Sequence, residues 1–389
     1  MSSMSKVREI AFGRPWITDA DRRAVLGVLD GPILTHGPQG KAFESEFAAF
    51  AGAGAHALTV SSCMAALHLA CLALGVGAGD EVLVPAETHT ATAHAVEWTG
   101  ARPVFVDCDP ATGNVTAEAL EAAITPRTRA LAVVHFVGIP CNMPAICAMA
   151  ERRGLKVVED CALALGARWA GRHVGLFGDA GCFSFYPVKH ITTGEGGMFL
   201  TRHADLAARV GKLRAFGVDR TFAERKIPGM YDVPTLGLNY RMSEMQAALG
   251  RAQLARIGEI LSRRRANFEA LARGVSGIDL VDVIDAADAA AASSHYCLTL
   301  RLSGPLAARR DAFVLRLNEA GVGTSVHYPQ PVPRMTYYRE KYGYAAAAYS
   351  AAASVSDETL ALPVALHVAA DDVAYMAAAV ALAAREMRS

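Results

Sequence analysis

Three short segments that follow predicted strands carry groups that could do chemistry. Asp160 follows the apolar run 156–159, and Lys189 closely follows another run at 182–186. The sequence Ser61-Ser62-Cys63-Met64 follows a third run, at the start of a predicted helix. Ligands of open parallel sheets bind outside the carboxyl ends of the strands. A carboxylate, an amine and a helix N-terminus are therefore predicted to meet in one crevice.

Pyridoxal phosphate is a cofactor that uses all three groups. Its aldehyde needs a lysine amine, its ring nitrogen needs a carboxylate, and its phosphate suits a helix N-terminus. The carboxylate keeps the ring nitrogen protonated, which makes the ring an electron sink. Taken singly, a lysine after a strand is an ordinary solvated charge and an aspartate there is an ordinary helix cap. The combination predicts a pyridoxal-phosphate enzyme.

The elements that must position these groups alternate between strands and helices. Short runs rich in β-branched residues indicate strands, and the stretches between them have helical patterns. This alternation predicts an α/β fold with a mainly parallel sheet covered by helices on both faces. The predicted strands are 57–60, 81–85, 103–107, 130–136, 156–159, 182–186 and 197–201, and the helices between them are 65–74, 91–99, 117–123 and 144–153.

The pattern changes after Lys189. A helical stretch without proline runs from about 242 to 275, and a smaller C-terminal α+β domain is predicted beyond it. We place the boundary in the long helix, which gives a large cofactor-binding domain with an N-terminal arm at 1–256 and a small domain at 257–389. Strands are predicted at 296–302 and 323–327 and helices at 306–320 and 370–387.

The composition favours a soluble enzyme or ligand-binding protein. The 389 residues include 38 Lys plus Arg and 38 Asp plus Glu, so charge gives no indication of a nucleic-acid or membrane partner. No apolar window approaches the ~20 residues of a membrane span, and the N-terminus lacks an apolar signal core. We expect a cytoplasmic protein. The eight cysteines form no C-x-x-C pair, which predicts buried reduced thiols and no metal site.

A collinear series of motifs resembles the DegT/StrS group of sugar-nucleotide aminotransferases, within the aspartate-aminotransferase-like superfamily. The segment Phe183–Met198, which contains Lys189, matches the lysine motif of that group. The resemblance implies a large domain with a seven-stranded, mainly parallel sheet between helices. The other matching segments, in the order of the family, are 34–38, 61–67, 79–85, 103–107, 124–128, 159–160, 237–242 and 326–329.

The resemblance assigns roles to individual residues. Lys189 would hold the cofactor and shuttle protons, and Asp160 would face the ring nitrogen. The ring of His89 would stack on the cofactor, although a helix cap is the ordinary alternative. The phosphate contacts would be Ser184 and the helix start at Cys63, Met64 and Ala65. Asn239 would reach the phosphate of the neighbouring subunit, which implies a homodimer with shared active sites.

Further positions match the family less directly or depart from it. His327, His36 and Tyr328 are candidate substrate contacts, whereas His135 and Arg241 are expected to be structural. Cys63-Met64 replaces the usual Gly-Thr, so a phosphate-binding hydroxyl is missing. Leu163 replaces a Gln or His that the family often has near the cofactor's phenolic oxygen, and Leu165 replaces a frequent His. These departures affect cofactor affinity and substrate details and leave the reaction class intact.

The resemblance implies transfer of an amino group, with L-glutamate as donor, to the keto group of a nucleotide-linked deoxysugar. A sugar dehydratase of the same family that uses pyridoxamine phosphate is one alternative, but those enzymes carry His where this chain has Lys189. A second alternative is a non-catalytic regulatory homologue that keeps the cofactor. For the aminotransferase itself, keto-cyclitols are an alternative class of acceptor. The sequence does not distinguish the sugar, the nucleotide or the aminated carbon.

Overall fold

The computed structural model describes residues 8–220, 226–345 and 347–388. Its strands are, in chain order, β1 (His56–Val60), β2 (Glu81–Pro85), β3 (Arg102–Val106), β4 (Thr128–Val134), β5 (Lys156–Asp160), β6 (Arg168–Trp169), β7 (Arg172–His173), β8 (Ala180–Ser184), β9 (Gly197–Thr201), β10 (Val281–Ile284), β11 (Ala291–Ala292), β12 (Leu298–Leu302) and β13 (Thr359–Leu362).

The helices connect these strands and pack against the sheets that the strands form. In chain order they are α1 (Asp19–Leu29), α2 (Pro38–Ala51), α3 (Cys63–Ala73), α4 (Thr90–Glu97), α5 (Ala117–Ala122), α6 (Met143–Arg153), α7 (Ala204–Leu213), α8 (Glu244–Leu254), α9 (Ile257–Val275), α10 (Gly304–Ala307), α11 (Arg310–Glu319), α12 (Thr336–Tyr342), α13 (Ser350–Glu358) and α14 (Ala370–Glu386).

The large sheet has seven strands in the order β1-β9-β8-β5-β4-β2-β3. Strand β9 is antiparallel to β1 and β8, and the other neighbouring strands are parallel. Successive side chains of β2 enter cores on opposite faces, since Val82 and Val84 belong to one cluster and Leu83 to another. The predicted α/β fold with a mainly parallel seven-stranded sheet is confirmed.

A second sheet, β10-β12-β13, forms the C-terminal α+β part together with α9 and α14. Its core includes Phe268, Leu300, Leu360 and Val380. Ile10 enters the same core and bonds to the chain at Gly321 and Gly323. The N-terminal residues therefore pack on the small sheet, and the predicted division at 256/257 stays a prediction.

Two details differ from the sequence-based expectations. The helical stretch 242–275 is broken between α8 and α9, where Arg256 leaves the helical conformation and its guanidinium bonds to the buried Asp21 at 2.7 Å. The predicted strand 323–327 is wrong, because only an isolated bridge joins Ser325 to Ala361. Tertiary contacts decided both outcomes, and the local pattern does not reveal them.

The eight cysteines form no disulfide among the described residues, and all except Cys147 are buried. Among the described residues, no helix has the length and hydropathy of a membrane-spanning segment.

Candidate active site

Asp160 ends β5 at the centre of the large sheet and is buried. Its Oδ2 accepts a hydrogen bond from Thr92 Oγ1 at 2.8 Å, and its Oδ1 accepts one from the Ala162 amide at 3.0 Å. Since the Thr92 proton goes to Asp160, the 2.9 Å contact between Thr88 and Thr92 must use the Thr88 proton. The carboxylate is thus fixed in orientation by a chain of hydroxyl groups that begins on the neighbouring α4 region.

Lys189 lies in the loop after β8, and its side chain is half-buried. Burial lowers the pKa of Lys189, while the negative charge of Asp160 acts in the opposite direction. The Nζ atom lies 5.1 Å from the ring centroid of Tyr296, within the range of a cation–π contact. The structure therefore brings the predicted amine and the predicted carboxylate into one electrostatic environment.

Cys63, at the first position of α3, interacts with both of these groups. Its Sγ is 3.9 Å from Asp160 Oδ1 and 3.5 Å from the carbonyl oxygen of Cys182. Burial raises the pKa of the Cys63 thiol well above its ordinary value, and the nearby Asp160 adds to this effect. The thiol is therefore neutral at physiological pH, and Asp160 is the anion that acts on Lys189.

The N-terminus of α3 opens on the same edge of the sheet. Gly197 pairs with Val60 on one side and with Ser184 on the other, so Ser184 ends its strand beside this helix start. A Cβ on Gly197 would come within 2.5 Å of the Ser62 carbonyl carbon, so glycine is required for this approach. Such a helix start can bind a phosphate group.

The predicted phosphate donors already have partners in part. Ser62 caps α3 and accepts the Ala65 amide at 3.1 Å, whereas the Ser184 hydroxyl accepts the Tyr186 amide at 3.4 Å. Met64 is partly buried in the first turn. A phosphate contact from Ala65 would share the amide with Ser62, and the roles of Ser184, Met64, Ala65 and Cys63 stay predictions.

His89 caps α4, because its Nδ1 accepts the Ala91 amide at 3.1 Å. Its ring also lies 5.8 Å from that of Tyr328. Partial burial lowers the pKa of His89, whereas the nearby Asp160 raises this pKa and Lys189 lowers it. The capping and cofactor-facing interpretations of His89 are thus compatible. Its predicted stacking on the cofactor stays a prediction.

His327 and Tyr328 close the site from the C-terminal part of the chain. The His327 ring lies 5.5 Å from that of Tyr296, and burial lowers the pKa of His327 to about 3, with a further effect of Lys189. Burial also raises the pKa of the Tyr328 phenol well above its ordinary value. Both side chains are therefore neutral, and they pack in one aromatic group with Tyr296, which contacts Lys189.

Asn239 and His36 form a second, exposed group with Arg241. Arg241 donates its Nε to Asn239 Oδ1 at 2.9 Å, and its other end contacts His36. The Ser61 amide bonds to the carbonyl of Tyr240 at 2.8 Å, which ties this group to the start of α3. Asn239 and His36 therefore face outward from the edge of the site, and their predicted roles stay predictions.

Comparison with known proteins decides the class of site. The DegT/DnrJ/EryC1/StrS aminotransferase family matches residues 15–381. The spore coat polysaccharide biosynthesis protein SpsC of Bacillus subtilis is 37% identical over 370 residues, 94% of each chain. The chain belongs to this aminotransferase family. It is a pyridoxal-phosphate-dependent sugar aminotransferase.

Solved structures share the fold of this sugar aminotransferase over almost its whole length. The aminotransferase TlmJ of Streptoalloteichus hindustanus is 33% identical with a TM-score of 0.89, covering 97% of this chain and 99% of that one. Spr1654 of Streptococcus pneumoniae, in its pyridoxal-phosphate form, is 27% identical with a TM-score of 0.91, covering 98% of this chain and 100% of that one. The predicted family and cofactor are confirmed.

Sequence reasoning missed several groups of the aminotransferase site. Tyr296 lies against Lys189, and the buried Arg264 donates to the Tyr296 carbonyl at 2.8 Å. Thr92 holds Asp160, and the buried Glu87 accepts the Tyr328 amide at 2.8 Å. Of these residues, only Glu87 and Thr92 could have been suspected from the sequence, because they lie close to the predicted cofactor contact His89.

A buried cluster of His135, Glu159 and Cys161 brings atoms of the type that bind metals within 4.8 Å of one another. The Glu159 carboxylate, however, already accepts the amides of Gly175, Phe177 and Gly178 and contacts His135 Nε2 at 3.1 Å. Its oxygens have little capacity left for a metal ion. This arrangement fits the structural role predicted for His135.

Proposed function

We propose that this sugar aminotransferase moves an amino group from L-glutamate to the keto group of a nucleotide-linked deoxysugar. The proposal rests on one observation: the partly desolvated amine of Lys189 lies within the electrostatic influence of the carboxylate of Asp160, which hydrogen bonds hold in place. That arrangement fits pyridoxal phosphate, with Lys189 on its aldehyde and Asp160 on its ring nitrogen. When bound, the cofactor supplies the electron sink for removal of a proton from the donor's α-carbon.

The protein's own contribution is to hold and move protons at Lys189 Nζ. Because burial lowers the pKa of this amine, its neutral form is populated at lower pH than for an exposed lysine. A neutral amine next to the reacting carbon can take the α-proton of the donor and return it elsewhere. Asp160 remains in place during this exchange because Thr92 and the Ala162 amide fix both its oxygens.

The aromatic groups above Lys189 exclude water from the proton transfer. Tyr296 is 4% exposed, and its phenol pKa is raised by burial, so it stays neutral beside the amine. His327 and Tyr328 complete this cover. A dry site strengthens the pairing of Asp160 with a cationic ring nitrogen.

The dehydratase alternative requires a chain without a lysine at this position. Here His190, the neighbour of Lys189, is buried, and its Nε2 donates to the Ser294 carbonyl at 3.0 Å. This histidine therefore has a structural bond of its own, which supports amino-group transfer rather than dehydration. The neighbourhood of Lys189 and Asp160 likewise supports catalysis over a purely regulatory role.

The site is proposed to be completed by a second copy of the chain. The loop 227–236 carries the exposed apolar side chains Met230, Val233 and Leu236, the last of which is 91% exposed. Apolar groups displayed in this way are typical of a surface that another protein covers. Asn239 lies just after this loop and faces outward, which suits the predicted contact with the partner's phosphate.

Absorbance of the bound cofactor tests the proposed function. Addition of L-glutamate to the holoenzyme should convert the pyridoxal absorbance to that of the pyridoxamine form. The pyridoxamine form should then regain the pyridoxal spectrum with a nucleotide-linked keto-sugar and not with a keto-cyclitol. A cofactor-loaded protein whose spectrum no donor amino acid changes would contradict amino-group transfer.

A further inference from the structure

A narrow cavity on the side of Lys189 that faces α9 contains no acidic side chain. It encloses about 20 Å³ and is lined by groups that include Arg14, Lys189, Gln253 and Arg264. Neither Asp nor Glu occurs among its lining residues. Two arginine side chains therefore border one space next to the reactive amine.

Arg264 is the most constrained of these cations. Its residue is 3% exposed, one terminal nitrogen donates to the Tyr296 carbonyl at 2.8 Å, and its Nε has no partner. Among the described residues, Arg264 forms no ion pair with a carboxylate. Burial lowers the pKa of Arg264 to about 10, so the guanidinium is still charged at neutral pH. A buried charge without a counterion is costly, and a ligand anion would remove that cost.

Gln253 adds a second unused donor to the same cavity. It is 3% exposed, and its Oε1 accepts the Thr192 amide at 2.9 Å, which fixes the orientation of the amide group. Its Nε2 then has no partner. His190 contributes an unpartnered Nδ1, whose lone pair would repel an anion. An anion is therefore expected on the side of Arg264 and Gln253.

We propose that this cavity binds a carboxylate group of the amino donor, through Arg264 and Gln253. The inference rests on the proposed function and adds the group that selects amino acids as donors. The cavity has room for one oxygen of a carboxylate beside these donors and is too small for a diphosphate. A guanidinium and an amide together recognise a carboxylate through charge-assisted hydrogen bonds. The donor's amino group would then lie toward Lys189.

Binding of glutarate, a dicarboxylate without an amino group, tests the inference on the holoenzyme by isothermal titration calorimetry. Arg264→Met should weaken glutarate binding at least about tenfold, the effect of losing one charge-assisted contact. Gln253→Leu removes only the amide donor and leaves the charge of Arg264 in place, so it should weaken glutarate binding less. Arg263→Met, at an exposed position of the same helix, should bind glutarate like the unmodified enzyme.

The donor half-reaction separates recognition from a structural role of Arg264. In Arg264→Met the L-glutamate concentration for half-maximal conversion should rise at least about tenfold, with a smaller change in the maximal rate. Arg264→Lys should restore part of the affinity. Unchanged glutarate binding in Arg264→Met, or displacement of glutarate by inorganic pyrophosphate, would overturn the inference.

The two proposals fail in distinguishable ways. Glutarate binding that depends on Arg264, in a protein whose cofactor no donor converts, would refute amino-group transfer and support the carboxylate site. Conversion by L-glutamate, in a protein that shows no binding of glutarate, would support amino-group transfer and refute the carboxylate site.

Discussion

The side chain of Lys189 is the one group whose removal should abolish covalent attachment of the cofactor. Lys189→Ala should prevent trapping of pyridoxal phosphate by borohydride, measured as the added mass on the protein. The donor half-reaction should slow by about 10²–10⁴, the usual effect of removing a general base. Lys212→Ala, on the exposed side of α7, should trap the cofactor normally. Continued trapping in Lys189→Ala would mean that another lysine holds the cofactor.

Asp160 should control the pH at which the Lys189 amine becomes reactive. Its negative charge stabilises the ammonium form and raises the pKa of Lys189 against the larger, opposite effect of burial. Asp160→Asn removes that charge, so the pKa should fall further and the neutral amine should be populated at lower pH. The rate of reductive trapping by excess pyridoxal phosphate, measured against pH on the apoprotein, should shift its midpoint downward.

The control for this shift is Asp205→Asn, an exposed position in the first turn of α7. Its profile should coincide with that of the unmodified protein. An upward shift in Asp160→Asn would show that Asp160 does not stabilise the charged amine.

At the scale of elements, Glu87 bonds the loop after β2 to two segments of the C-terminal part of the chain, at Tyr328 and Ser356. This buried carboxyl accepts the Tyr328 amide at 2.8 Å and the Ser356 hydroxyl at 2.6 Å, and burial raises its pKa to about 8. A folded-state pKa above the unfolded value means that the folded protein binds the extra proton. The stabilising effect is complete below the unfolded pKa near 4.5 and is lost as pH rises toward 8.

Glu87→Gln keeps the shape of the protonated acid and removes its titration. The free energy of unfolding of this variant, relative to the unmodified protein, should increase between pH 5 and 8 by up to about 1.4 kcal/mol per pH unit. Urea unfolding at a series of pH values measures the difference. Glu151→Gln, at an exposed site on α6, should show no such slope. A difference that is constant with pH would mean that Glu87 is ionised throughout this range.

The elements also show what sequence could and could not predict. Strands such as β2 and β9 have uninterrupted apolar patterns, and their predicted bounds agree with the structure. Lys189 and Asp160 were predictable because each follows such a strand on one edge of the sheet. Tyr296, Arg264 and the break at Arg256 were not, since long-range packing places them and no local period or motif marks them.

At the scale of the whole molecule, two exposed leucines lie on different surfaces. Leu236 belongs to the loop 227–236, which continues into the segment that is hydrogen-bonded to the start of α3. Leu315 is also exposed, at 61%, but it lies on α11 in the small-sheet part. Of these two surfaces, only the loop 227–236 lies next to the proposed phosphate site, so we propose that a dimer with shared active sites covers this loop.

Leu236→Glu should therefore weaken dimer formation, because it would place a charge in the surface that is buried in the proposed dimer. The dimer dissociation constant should rise at least about tenfold, and activity should fall with the fraction of dimer. Analytical ultracentrifugation at several protein concentrations measures this change. Leu315→Glu makes the same substitution outside the proposed interface and should remain dimeric and active. If the Leu236→Glu protein dimerises as well as the Leu315→Glu protein, the loop 227–236 does not form the interface and the shared site must be assembled through another surface.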